Sequence, residues 1–175
     1  MKTLSYLLTP DYVFERFDDV APQFLQKKGI RALLIDIDNT LAPYEQDLPD
    51  ERIINWFAAL KSAGISAALI SNNNVERVEL FNRELGLLAY PDSHKPSSRC
   101  LLDAMEKMGS TREDTASLGD QLLTDALAGH RLGLRVIIVP PINDKKNLFF
   151  RFKRWLERPY MRKYKKRYLK GEIDI

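Results

Sequence analysis

Short, continuously apolar runs alternate along the chain with stretches in which apolar residues recur every three or four positions. The apolar runs are rich in branched side chains, which is typical of strands that are covered on both faces of a sheet. They predict strands at 31–36, 65–71, 87–90, 115–119 and 135–140. The stretches with helical spacing predict amphipathic helices at roughly 11–28, 50–63, 75–85, 97–108 and 122–132.

The boundaries of these predicted helices carry their own signals. Asp50 and Asn74 stand where a helix needs a side chain to cap its N-terminus. Glycines follow the expected helix ends, where a left-handed residue stops a helix, at positions 29, 64, 86, 109 and 133. Because strands and helices alternate, we expect an α/β protein with a parallel sheet and helices on both of its faces.

The size and composition of the chain fit one globular domain. Its 175 residues can form a substantial core, and 45% hydrophobic and 29% charged residues are ordinary values. No apolar run reaches the roughly 20 residues of a membrane span. The N-terminal residues lack the apolar region and cleavage site of a signal peptide, and the single cysteine, Cys100, excludes an internal disulfide. These features favour a cytoplasmic protein.

The net charge of +3 is distributed unevenly along the chain. Residues 1–144 hold 15 Lys and Arg against 21 Asp and Glu, whereas residues 145–170 hold 12 Lys and Arg against Glu157 alone. We therefore divide the chain into an acidic domain, 1–144, and a basic amphipathic extension, 145–175. The asymmetry suggests that the extension meets an anionic partner.

The extension is compatible with more than one kind of partner. If it is helical, one face carries large apolar side chains, at Leu148, Phe152, Trp155 and Leu156. Pro159 is expected to kink or end that helix. Beyond it, tyrosines recur every four residues among lysines and arginines, at Tyr160, Tyr164 and Tyr168.

A basic helix with aromatic anchors indicates a peripheral element on the anionic inner face of a membrane, through residues 145–170. Tyrosines among cations could instead stack RNA bases. In a third interpretation the aromatic face packs on the domain and the cations are solvated.

Polar side chains follow four of the predicted strands directly. They are Asp36 and Asp38, then Ser71 and Asn72, then Lys95 in a loop, and finally Asp120 with Asp125. Because the carboxyl ends of parallel strands meet at one edge, these side chains should converge there. Carboxylates with little His or Cys nearby favour a hard cation such as Mg²⁺. Asp36 could then attack a phosphorus atom, and Asp38 could protonate the leaving oxygen and later activate water.

Each of these features alone has an ordinary structural explanation. An Asp-x-Asp pair can be solvated at a strand end, a Ser-Asn pair can form a turn, and a single lysine is usually solvated. The GDQLLTD stretch could simply cap a helix. All four features in order, each directly after a predicted strand, favour a catalytic site instead.

The four features also resemble the four motifs of phosphatases in the haloacid dehalogenase (HAD) superfamily. DIDNT at 36–40 is similar to the first motif, DxDx[TV], and the others correspond to Ser71, Lys95 and GDQLLTD at 119–125. The likeness covers about residues 30–140 and implies a Rossmann-like fold. The length, the motif spacing and the HKPS and GDQLLTD stretches are similar to the small bacterial YqeG-type proteins of subfamily IIIA.

The resemblance implies a Mg²⁺-dependent phosphomonoesterase that works through an aspartyl-phosphate. Asp36 would be the nucleophile and a metal ligand, and Asp38 the general acid–base, with its backbone carbonyl on the metal. Asp120 would bind the metal directly, with Asp125 behind it. The transferred phosphoryl group would be bound by Thr40, Ser71, Asn72 and Lys95. The presence of Asp38 favours phosphate chemistry over dehalogenation, because an alkoxide leaving group needs a proton.

The substrate is harder to predict. Residues 41–70 and 72–94, where relatives insert a cap domain, are each mostly used by one helix and one strand, so we expect no cap. An open site suits a large substrate such as a lipid head group, a protein or a nucleic acid end. YqeG-type proteins are similar to mitochondrial and plastid phosphatases that act on phosphatidylglycerophosphate, which makes that lipid the favoured substrate.

Two other functions stay open. One is a phosphatase that acts on a soluble sugar or nucleotide phosphate. The other is a protein without enzymatic activity that uses the same scaffold to bind RNA or a ribosomal partner. A complete set of nucleophile, acid–base, lysine and metal aspartate argues against the second, because a pure binding protein does not need all four.

Overall fold

The computed structural model describes residues 3–143 and 148–175, and these contain six parallel strands in one sheet. In chain order the strands are β1 Tyr12–Val13, β2 Ala32–Ile35, β3 Ser66–Ile70, β4 Leu88–Tyr90, β5 Thr115–Gly119 and β6 Arg135–Ile138. They lie side by side in the order β1-β6-β5-β2-β3-β4. The five predicted strands are confirmed, and β2 lies between β5 and β3 near the middle of the sheet.

Helices connect the strands, as the alternating pattern predicted. They are α1 Leu4–Leu8, α2 Pro22–Lys27, α3 Glu51–Ser62, α4 Val75–Asn82, α5 Arg99–Met108, α6 Leu127–Leu132 and α7 Leu148–Leu169. A π-helical turn, Leu122–Ala126, leads into α6. Asp50 and Asn74 cap α3 and α4, because their carboxylate and amide oxygens accept backbone hydrogen bonds of 2.9 Å from the first turn of each helix.

Both faces of the sheet are covered by helices. In β2, Leu33 and Ile35 pack with side chains of α2, α3 and α4, whereas Leu34 packs with side chains of α5 and α6. Every residue of β2 is buried. The strand that leads to Asp36 is therefore fixed from both sides, and so is the position at which the chain leaves the sheet.

The predicted N-terminal helix at 11–28 is wrong. Its first part forms the short strand β1, which pairs with β6. A short 3-10 helix follows at Phe17–Asp19, and the α-helix begins only at Pro22. Proline lacks the N–H that a helix interior needs, and it is favoured in the first helical turn. Tyr12 and Phe14 each pack edge-to-face on Phe24, at 5.0 and 4.9 Å. Tyr12 and Phe14 stand two residues apart, which is the spacing of side chains on one face of a strand, and this fits their place at an edge of the sheet.

Pro159 was expected to kink or end the helix of the extension, and an end at this position is wrong, because α7 continues through it. Proline removes only one backbone hydrogen bond, and side chains on both sides of it are buried against the domain. Glu157 accepts a hydrogen bond of 2.8 Å from the N–H of Leu122. The Tyr164 hydroxyl accepts one of 3.0 Å from the N–H of Val13.

Candidate active site

Lys95 lies at the centre of a buried cluster of carboxylates beyond the carboxyl edge of the sheet. Its Nζ is 2.7 Å from an oxygen of Asp36 and 2.8 Å from an oxygen of Asp125, and it donates to the carbonyl of Ile70 at 2.6 Å. Burial alone would lower the pKa of Lys95, but the charges of Asp125 and Asp36 outweigh it and raise that pKa. Lys95 is therefore a permanent cation between two acids.

Asp36 is positioned by the end of β2. Its N–H continues the ladder to β5 by donating to the carbonyl of Leu118 at 2.9 Å. The chain then turns tightly at Asn39, which has a left-handed φ of 65°, and this brings the Thr40 hydroxyl back to within 3.1 Å of the Asp36 carboxylate. Burial raises the pKa of Asp36 to about 7 even though Lys95 acts in the opposite direction.

Asp120 follows β5 directly and meets a residue of α7. Arg154 lies 2.6 Å from its carboxylate and also donates to its backbone carbonyl at 2.7 Å. Burial, with the charges of Asp125 and Asp36 added, raises the pKa of Asp120 to about 8 despite Arg154. The same arginine lies 2.9 Å from the buried Glu157, which holds α7 against this end of the sheet.

Asp125 lies over the end of β5 because Gly119 leaves room for it. A Cβ atom on Gly119 would be only 2.3 Å from the carboxyl carbon of Asp125. The second oxygen of Asp125 accepts a hydrogen bond of 3.1 Å from the N–H of Gln121. Glycine is thus the residue that allows the GDQLLTD segment to fold its last acid back toward Lys95.

Three carboxylates in this cluster fit a divalent cation. One oxygen of each of Asp36, Asp120 and Asp125 lies within 4.8 Å of the others, and all three residues are buried. Burial is the main cause of the raised pKa values of Asp36 and Asp120, and the charge of Asp125 adds to it at both residues. An all-oxygen set of this kind suits a hard cation such as Mg²⁺.

The carboxylate of Asp38 lies apart from this acidic triad and has partners of its own. Arg77 from α4 is 3.2 Å from one oxygen, and the Asn73 amide donates to the other at 2.9 Å. The side chains of Asp38 and Arg77 are only 7% and 9% exposed. Neither Arg77 nor Asn73 was predicted. The only sequence signal was their closeness to Ser71 and to the N-cap of α4.

Two residues that were predicted to bind phosphate hold other site residues in place. The Thr40 hydroxyl donates to Asp36, as described above. The Asn72 side-chain oxygen accepts from the N–H of Lys95 at 2.7 Å, and its amide group donates to the carbonyl of Lys95 at 3.0 Å. The Ser71 hydroxyl accepts from the N–H of Asn73 at 3.0 Å. Ser71 and Asn72 both line the cavity at the site.

The cavity itself has a volume of about 300 Å³ and brings together the predicted Asp36, Asp38, Ser71, Asn72, Lys95 and Asp125. In the part of the chain that the structure describes, no inserted cap domain covers it, as the sequence predicted. Residues that the sequence did not predict also line it: Tyr44, Asn73, Gln121, Thr124 and Lys153. Lys153 comes from α7, so the basic extension reaches the rim of the site.

Comparisons with known proteins agree with this geometry. A family model described as a haloacid dehalogenase-like hydrolase matches residues 6–133. The chain is 33% identical over 171 residues, 98% of both chains, to a Bacillus subtilis (strain 168) protein named "Probable phosphatase YqeG".

Solved structures also share the fold. A Vibrio cholerae protein provisionally named 3-deoxy-D-manno-octulosonate 8-phosphate phosphatase matches with 25% identity and a TM-score of 0.56, over 69% of this chain and 73% of that one. The cobalt-bound deoxy-D-mannose-octulosonate 8-phosphate phosphatase of Haemophilus influenzae matches with 17% identity and a TM-score of 0.51, over 78% and 92%. The second likeness concerns the fold alone.

We expect the metal-free protein to lose stability as the pH rises from about 5 to about 8. The pKa values of about 7 at Asp36 and about 8 at Asp120 exceed the ordinary unfolded value near 3.9. The folded state therefore binds more protons than the unfolded state in this window. The free energy of unfolding then falls with pH, by up to about 1.4 kcal/mol per pH unit for each group.

Thermal unfolding in a chelator, repeated across this pH window, measures the effect. Excess Mg²⁺ should oppose the loss, because it binds the deprotonated carboxylates, and Asp120→Asn should reduce the slope. A melting temperature in chelator that rises steadily through the window would contradict the expected protonation of the cluster.

Proposed function

Because the chain belongs to the haloacid dehalogenase-like hydrolases and is a phosphatase, we propose that it removes a terminal phosphate through an aspartyl-phosphate, with Mg²⁺ as its cation. The predicted family, fold class and enzyme class are thereby confirmed. The observation that carries the mechanism is the position of Lys95, whose Nζ lies 2.7 Å from Asp36 and 2.8 Å from Asp125 beside the third carboxylate, Asp120.

In this mechanism Asp36 is the nucleophile. Its carboxylate oxygen attacks phosphorus, the bond from phosphorus to the substrate oxygen breaks, and an acyl phosphate forms on Asp36. Lys95 keeps its positive charge and stabilises the phosphoryl oxygens as negative charge builds up. Asp36, Asp120 and the backbone carbonyl of Asp38 would hold the Mg²⁺, with Asp125 behind them, and the cation would supply further positive charge against the approaching phosphate. Thr40 orients the nucleophile.

Asp38 supplies and removes protons in the same scheme. In the first step its carboxyl group donates a proton to the leaving oxygen, and in the second its carboxylate takes a proton from the water that hydrolyses the acyl phosphate. Arg77 and Asn73 hold the side chain of Asp38 in position, two residues beyond the nucleophile. Lys153 and Ser71 are placed at the cavity to contact the phosphate or the group that carries it.

Asp36→Asn should abolish phosphate release, because an amide cannot attack phosphorus, and the loss should be many orders of magnitude. The measurement is phosphate release from p-nitrophenyl phosphate with excess Mg²⁺. A chelator should abolish the activity of the wild type, and added Mg²⁺ should restore it. Asp103→Asn, at an exposed ion pair on α5, is a matched control that should keep wild-type activity. More than a tenth of the wild-type rate in Asp36→Asn would exclude the covalent mechanism.

Asp38→Asn should impair poor leaving groups more than good ones. An alkyl phosphate needs a proton on its departing oxygen, whereas p-nitrophenolate leaves without one. The ratio of kcat/KM for the two substrates should therefore shift by at least about tenfold in the variant, since general acid catalysis typically contributes 10²–10⁴-fold. Equal losses on both substrates would indicate that Asp38 is structural or acts mainly at the metal site.

A membrane lipid phosphate, with phosphatidylglycerophosphate favoured, is the substrate that we propose. The support comes from the outer face of α7, where Phe152 is 55% and Trp155 is 59% exposed, with Leu156 beside them. These apolar side chains lie within one helical turn of Lys153, which lines the active-site cavity. An interfacial helix would bring that cavity to the lipid surface. Leu148, predicted on the same face, lies outside the described side chains.

The alternative partners are less well supported. An RNA stacking surface needs available tyrosines, but Tyr164 is 6% exposed and Tyr160 is half-buried, so of the three predicted tyrosines Tyr168 alone is exposed, at 49%. A soluble phosphomonoester is the second candidate substrate, because a cavity of about 300 Å³ is the size of a small-ligand site. A phosphate-release screen over lipid and soluble phosphomonoesters separates the lipid from the soluble substrate.

No helix in the described ranges has the length and apolar character to cross a bilayer.

The double variant Phe152→Ser with Trp155→Ser should bind vesicles that contain phosphatidylglycerol several-fold more weakly, because it loses the apolar part of the contact. Co-sedimentation with vesicles measures this at two salt concentrations, since the contribution of the cations is screened by salt. Leu102→Ser, at a position on α5 that is 44% exposed, is the matched control and should bind normally. Equal binding by the double variant and the control would remove the proposed membrane contact.

A further inference from the structure

A second cavity, which we call the α7 groove, lies between α7 and the edge of the sheet at β1 and β6. Its volume is about 740 Å³, more than twice that of the cavity at Asp36 and within the range of ligand sites. Apolar side chains dominate its lining, among them Val13, Ile138, Val139 and Met161. The groove is therefore large enough and apolar enough for a hydrocarbon chain.

The groove begins beside the reaction centre. Consecutive residues line the two cavities, because Gln121 and Lys153 face the cavity at Asp36 whereas Asp120 and Arg154 face the groove. An oxygen of Asp120 lies within 4.8 Å of an oxygen of Asp36. A single long molecule can thus place one end at the catalytic acids and another part along the groove.

Cations border the groove along one side of α7. Arg158, Arg162 and Lys165 are spaced by four and three residues, so they share one flank of the helix, and all three are exposed. From Arg154 to Lys165 the helix rises by roughly 16 Å. Glu15 is the exposed acid at this border. An apolar floor with a cationic border suits a molecule that is apolar and anionic at once.

We propose that the α7 groove binds one acyl chain of an anionic phospholipid, and that Arg158, Arg162 and Lys165 bind the phosphate groups of the same molecule. This inference rests on the proposed lipid function, because it identifies the part of the lipid substrate that the groove would bind. A polyanion such as RNA would leave the apolar floor unused. A peptide strand would need backbone partners on β1, but the N–H of Val13 already donates to Tyr164.

The probe for the test is dihexanoylphosphatidylglycerol below its micelle concentration, titrated into the full-length protein by calorimetry. This lipid has a phosphodiester but no phosphomonoester, so its binding does not depend on turnover. Lys165→Ala should weaken binding about fivefold, since a cation near an anionic lipid contributes about that factor. Its neighbour Lys166→Ala, which removes the same side chain outside the groove lining, should bind within twofold of the wild type.

Chain length tests the apolar part of the groove. Each added methylene that the groove buries should tighten binding by about fourfold, so dihexanoyl lipid should bind much more tightly than dibutyroyl lipid. Val13→Trp fills the groove and should remove this dependence. Thermal unfolding checks that Val13→Trp still folds. The comparison of Lys165→Ala with Lys166→Ala tests the proposal even if Val13→Trp does not fold.

Three outcomes would overturn the inference. The first is equal weakening in Lys165→Ala and Lys166→Ala, which would indicate diffuse surface charge. The second is an affinity that does not change with chain length, and the third is RNA that binds more tightly than lipid and displaces it. Lipid phosphate hydrolysis that persists with any of these outcomes would leave the proposed function standing. Chain-length-dependent binding without any lipid hydrolysis would refute the function and leave the groove standing.

Discussion

The ammonium group of Lys95 joins parts of the chain that are far apart in sequence. It meets the end of β2 through Asp36, the end of β3 through the carbonyl of Ile70, and the segment after β5 through Asp125. A buried charge is tolerated only when it is paired and hydrogen-bonded, and the acids around Lys95 are equally expensive to bury without it. Lys95 and the acids around it therefore stabilise one another, and the loss of one partner would leave a buried charge unpaired. The parallel sheet supplies the edge on which these residues meet.

Much of this edge could be predicted from the sequence because the rules that govern it are local. A continuously apolar run identified β2, and Asp36 and Asp38 follow it at once. Arg77 and Arg154 could not be predicted, since they enter from α4 and α7 at positions that depend on how whole helices pack. Two predictions were wrong, the helix at 11–28 and the helix end at Pro159. Both depend on tertiary packing, which a local sequence pattern does not reveal.

Helix α7 of the basic extension packs against the end of the domain that holds the carboxylate cluster. Arg154 contacts Asp120, Glu157 accepts from the N–H of Leu122, and Lys153 lines the cavity. The same helix exposes Phe152 and Trp155 on its outer side and borders the α7 groove further along. A surface that engages α7 would thus contact the same helix that carries Arg154 and Lys153.

At Gly119, even the methyl group of an alanine would force Asp125 out of its position. Any side chain there would occupy the place of the Asp125 carboxyl group, whose carbon would be 2.3 Å from the new atom. Displacing Asp125 would remove one of the two carboxylates that hold Lys95. A position that touches no substrate therefore has to be glycine if Asp125 is to keep its contact with Lys95.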